Sequence, residues 1–94
     1  MNKYEVMYIL NSALEEENIQ ALIEKFSELI KANGELEKTD TWGKRRLAYP
    51  ILDMNEGYYV ISDFSANPEF PAELERVFKI TDGVLRFLVT RKED

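Results

Sequence analysis

The chain has 94 residues, 45% of them hydrophobic, and a formal net charge of −6; it holds no cysteine and no histidine. That length suits one domain spanning 1–94, and that composition excludes a disordered chain. The missing residues exclude disulfides, thiolate metal sites and the usual general base, which argues against most catalytic designs and calls for no cofactor. No apolar run approaches the ~18 residues of a membrane helix, and the start lacks the features of a secretory signal, so a cytoplasmic protein is expected.

Lys3 to Leu10 reads as a strand, with Tyr4, Val6, Tyr8 and Leu10 on one face and Lys3, Glu5, Met7 and Ile9 on the other. From about Glu15 to Ala32 the spacing of Ile19, Leu22, Ile23, Phe26, Leu29 and Ile30 predicts a helix, with Glu15, Glu16 and Glu17 in the first turn. Asn33-Gly34 is its stop, with Gly34 expected in the left-handed cap conformation. Glu35 to Ile51 reads as a long, irregular strand, bulged or bent at Gly43 and kept to a sheet edge by Pro50. Asp53 to Gly57 is expected as a turn and Tyr58 to Phe64 as a third strand. Asn67-Pro68-Glu69-Phe70-Pro71 opens a second helix with a Leu74, Val77, Phe78 stripe. Asp82-Gly83 is a turn, and Leu85 to Arg91 is the last strand. No repeat, linker or low-complexity segment interrupts this order.

Strand, helix, strand, strand, helix, strand is the split βαβ pattern of ferredoxin-like α+β domains. It predicts a four-stranded antiparallel sheet of order 4-1-3-2 with two helices on one face. Alternation then leaves Met7, Ile9, Tyr59, Ile61 and Leu88 on the open face, rimmed by Lys3, Arg86 and Lys92. An apolar patch with a cationic rim tends to mark an interaction surface, although isolated exposed hydrophobics are ordinary on a small domain.

The charge is unevenly spread. Residues 1–40 carry a net −5 and residues 53–94 a net −4, whereas residues 41–52 carry +3, all of it on Lys44, Arg45 and Arg46. This run follows the sole tryptophan, Trp42, and leads into Tyr49-Pro50. Two roles suit it: contact with phosphates, or charges that keep an edge strand from pairing. If the strand is regular, Arg45 and Arg46 point to opposite faces. Trp42 and Tyr49 suit either stacking on an unpaired base or packing against a partner protein, with Tyr49 expected half-buried and its hydroxyl hydrogen-bonded.

Trp42-Gly43-Lys44-Arg45-Arg46-Leu47-Ala48-Tyr49-Pro50-Ile51 resembles the signature of the bacterial small-subunit ribosomal protein S6 family: Gly, a basic pair of positions, Leu-Ala-Tyr, any residue, Ile. Lys3-Tyr4-Glu5 and Glu56-Gly57-Tyr58-Tyr59 extend the likeness over nearly the whole chain. Where many members continue with basic residues after the Ile, Leu52-Asp53-Met54 stands here. The resemblance implies a structural component of the small ribosomal subunit, located on the ribosome. It implies binding to the central domain of small-subunit (16S) ribosomal RNA as a heterodimer with the basic ribosomal protein S18. Under it, Lys3, Lys44, Arg45, Arg46, Arg86 and Lys92 are the expected RNA contacts. Trp42, Tyr49, Met7, Ile9, Tyr59, Ile61 and Leu88 are the expected partner contacts. A homodimer is conceivable for the isolated chain.

Two other readings share the topology. An independent RNA recognition module needs outward aromatics at set places of its third strand, and Val60 and Asp63 occupy two of them. An enzyme on this fold lacks a His or Cys and a glycine-rich phosphate loop here.

Overall fold

A computed structural model describes residues 1–51 and 54–92. The elements are β1 (Asn2–Asn11), α1 (Glu16–Asn33), β2 (Gly34–Ile51), β3 (Met54–Ala66), α2 (Phe70–Ile80) and β4 (Val84–Arg91). All strand pairs are antiparallel, and the sheet order β2-β3-β1-β4 is the expected 4-1-3-2 read from the other edge. No described helix is long and apolar enough to cross a membrane.

The core forms where the two periodicities meet. Tyr4, Val6, Tyr8, Leu10, Tyr58, Val60 and Phe64 alternate onto one sheet face. Ile19, Ile23, Phe26 and Ile30 recur at helical spacing on α1, and Phe70, Leu74 and Phe78 do so on α2. Leu22, Leu29 and Val77, expected in the helix stripes, are only partly buried against this core. At its centre the Phe26 and Phe78 rings lie 4.5 Å apart, Tyr8 is 5.1 Å from Phe78, and Phe87 stacks on Phe78 at 5.2 Å. Ser62 is the polar residue of this layer, and its hydroxyl is 3.2 Å from that of Thr39.

The Tyr8 hydroxyl is buried and meets no hydrogen-bond partner among the described residues. Burial pushes its pKa up, because the phenolate would lose its water. The folded chain therefore holds the proton more tightly than the unfolded one. Stability is complete below about pH 10 and falls as the pH climbs beyond it. Tyr8→Phe removes the unpaired hydroxyl, so it should stabilise the fold by about 1–3 kcal/mol and flatten that alkaline fall. Urea unfolding at neutral and alkaline pH measures both.

Two sequence expectations need correcting. Gly34 is not a left-handed cap: its φ is 178°, extended backbone that any residue adopts. Glycine is needed there for space, since a Cβ would lie 2.0 Å from the Ser65 carbonyl oxygen where β2 begins to pair with β3. Nor is Met54 to Gly57 a turn. It continues β3, with Ile51 opposite Met54 and Arg46 opposite Glu56; Asp53, the first residue of the expected turn, lies outside the described residues.

Candidate nucleic-acid and partner interface

β2 is an edge strand whose register against β3 shifts between Leu36 and Lys38, between Thr41 and Gly43, and between Arg46 and Ile51. The second shift is a bulge in which Gly43 takes a positive φ of 77°, a conformation that glycine adopts without strain. Across it the strand twists, and Gly43 comes to face Tyr59 on the helix-free side of the sheet. Trp42, Arg45, Arg46 and Tyr59 line one shallow depression there. Arg45 and Arg46 thus share a site, where a regular strand would have sent them to opposite faces. The Arg45 guanidinium lies 5.9 Å from the centre of the Trp42 ring, and the indole is 52% exposed. Lys44, Arg45 and Arg46 are all exposed, and among the described residues no carboxylate lies within 4.0 Å of any of them.

The third register shift lets the segment after Arg46 arch over the open face. Leu47 is buried, with a methyl 3.4 Å from where a Gly57 Cβ would stand. The same Cβ would meet an Ile9 methyl at 2.3 Å. Ile9, expected to be an open contact, is therefore only 3% exposed. Further along the arch, Tyr49 reaches right across to β4. Its hydroxyl oxygen accepts a 2.8 Å hydrogen bond from Arg86, whose guanidinium lies 5.6 Å from the ring centre. That bond favours the charged guanidinium and raises its pKa above the ordinary value. Tyr49 is 58% exposed, more open than the expected half-burial, while its hydroxyl is hydrogen-bonded as expected. Gly57→Ala should crowd Ile9 and unseat Leu47, costing about 1–3 kcal/mol by urea unfolding while leaving the helix face intact.

Met7, Ile9, Tyr59, Arg86, Phe87 and Leu88 line a second depression of about 420 Å³ between β1 and β4. Leu88 is exposed, while Met7 and Ile61 are partly covered. Tyr59 belongs to both depressions. Lys3 and Lys92 are not part of this assembly. Lys3 sits opposite Ser65 and Lys44 opposite Tyr58, about 23 Å apart along β3. The Lys92 ammonium is held 3.3 Å from Asp63 at that far end. Sequence reasoning missed Leu47 and Gly57 as the plug and saddle under the arch. Their signal was the small residue at position 57 opposite an irregular strand.

The profile of the family "Ribosomal protein S6" matches residues 3–91. The chain belongs to the ribosomal protein S6 family. It is 56% identical over 94 residues to "Small ribosomal subunit protein bS6" of Clostridium novyi, covering 99% of each chain. It is 52% identical over 95 residues to the protein of the same name from Caldanaerobacter subterraneus subsp. tengcongensis, with all of both chains covered. The crystal structure of 30S ribosomal protein S6 from Thermotoga maritima superposes with a TM-score of 0.92 at 29% identity, over 97% of this chain and 87% of that one. S6 is a family of structural ribosomal proteins of the small subunit, not of enzymes.

Proposed function

We propose that this S6 protein binds the central domain of small-subunit ribosomal RNA together with the basic protein S18, in the cytoplasm, as part of the ribosome. The observation that carries this reading is the exposed Lys44-Arg45-Arg46 run on an edge strand of an otherwise acidic chain. Three adjacent cations with no carboxylate within 4.0 Å among the described residues, although Glu56 lies opposite Arg46 on β3, are disposed to meet an anion. Arginine forks hold two phosphate oxygens at once, and Lys44 adds a mobile point charge. The net −6 of the chain repels RNA at long range, so its own affinity is modest. A basic partner reverses that field. Together the β1–β4 depression, with Met7, Tyr59 and Leu88 beside the Tyr49–Arg86 contact, and Ile61, opposite Met7 on β3, make the apolar surface on which S18 rests in this reading. Lys3 and Lys92 remain a distant rim on the same face.

The test is titration of a central-domain RNA fragment with the chain alone, with S18 alone and with both. The pair should bind at least about tenfold more tightly than either protein, because each holds the other at high effective concentration. Binding by the chain that S18 does not improve would sink the partnership. Sedimentation of the isolated chain reads the alternative, self-association through the same face; a homodimer that S18 fails to dissociate also counts against it.

A further inference from the structure

We propose that Trp42, Gly43, Arg45, Arg46 and Tyr59 form a slot for one unpaired RNA base, with the adjoining phosphate on the arginines. This rests on the RNA-binding reading above and divides the open face: this end takes nucleotide, the β1–β4 end takes protein. The first observation is space. A Cβ built on Gly43 would have nothing within 4 Å, so the position that faces Tyr59 across the strands is vacant. The second is the wall. Trp42 and Tyr59, the chain neighbour and the cross-strand partner of Gly43, line a depression of about 390 Å³, and the indole is half-exposed although it is a large apolar ring. The third is charge. Arg45 lies over the Trp42 ring at 5.9 Å, leaving the indole's other face for a second planar group. Arg46 stands beside it with no carboxylate within 4.0 Å among the described residues. Planar rings with flanking guanidinium groups take a nucleobase and its phosphate without needing a particular sequence. By contrast, Arg86 is the one cation among the described residues lining the β1–β4 depression, and its guanidinium already donates to Tyr49, while the rest of that lining is apolar or aromatic.

Trp42 is the sole tryptophan, so its fluorescence reports on the slot alone. The full chain is titrated at about 0.1 M salt, where charges more than ~10 Å apart are screened. The probes are a labelled single-stranded oligouridylate, the same length of duplex RNA, and an abasic ribose-phosphate strand. Anisotropy reads binding, and emission reads stacking. The oligouridylate should bind and quench Trp42. The abasic strand should bind roughly 5- to 150-fold more weakly and leave the emission unchanged. Trp42→Ala should weaken oligouridylate binding by the same factor, and Trp42→Phe should keep most of the affinity. Far-ultraviolet circular dichroism verifies that the variants are folded. Equal affinity of Trp42→Ala and the parent overturns the slot, as does quenching by the abasic strand or the duplex equal to that by oligouridylate. Quenching by S18 but by none of the RNAs overturns it in favour of a protein contact. If oligouridylate binds with a salt dependence set by Lys44–Arg46 while Trp42 stays silent, the slot falls and the basic strand stands. If no RNA binds under any condition, both fall.

Discussion

Replacing Lys44, Arg45 and Arg46 together with Ala should weaken binding of the S18 complex to central-domain RNA by roughly 100-fold or more at about 0.1 M salt, and by almost nothing near 1 M. The magnitude follows from counterion release. Each lost phosphate contact flattens the slope of log K against log salt by about 0.7–0.9, so three contacts flatten it by about 2.1–2.7 units. A tenfold span of salt converts that slope into the affinity loss. The three side chains are exposed, so unfolding is not the cause; denaturation of the variant should match the parent. Single substitutions divide the effect. Arg45→Ala also removes the cation from the Trp42 ring and should cost more than Lys44→Ala. A triple variant with the parent's salt slope would leave the basic strand as nothing more than a guard on an open sheet edge.

Phe78→Ala should cost about 3–5 kcal/mol, a large part of the 5–15 kcal/mol that holds a small domain together. Phe78 is fully buried where both helices meet the sheet, against Phe26 at 4.5 Å, Tyr8 at 5.1 Å and Phe87 at 5.2 Å. Its partners come from α1, β1 and β4, so no single element can collapse into the cavity left behind. The urea midpoint should fall with little change in slope. Phe78 lies on the opposite side of the sheet from Tyr59 and Arg45. At low temperature, where the variant stays folded, RNA affinity should therefore survive. Loss of RNA binding by a folded Phe78→Ala protein would mean that the two faces are coupled, which the packing gives no reason to expect.

Most of the fold was legible in the residues because it depends on local periodicity. The two-residue alternation of Tyr4, Val6, Tyr8 and Leu10 and the helical spacing of Ile19 through Ile30 each place one apolar face, and two such faces fit together in few ways. Pro50 and Gly43 correctly signalled an irregular edge strand. Gly34 was read for its freedom of rotation, when the reason for it is the Ser65 carbonyl 31 positions away that leaves no room for a Cβ. A residue's neighbours along the chain carry no trace of such an approach.

The candidate site divides along the same line. Which residues bear its charge and rings, Trp42 and Lys44 to Arg46, was written in the sequence, because those properties belong to the side chains themselves. Their arrangement was decided only in three dimensions. Leu47 is buried over Ile9 because Gly57, on the neighbouring strand, lacks a side chain. Tyr49 meets Arg86, 37 residues on, because the break in the β2 ladder between Arg46 and Ile51 frees its side chain to reach over the sheet. Periodicity assigns a side chain to a face. Whether that face is open or covered depends on where a bulged backbone turns, and that is fixed by contacts between strands distant in the chain.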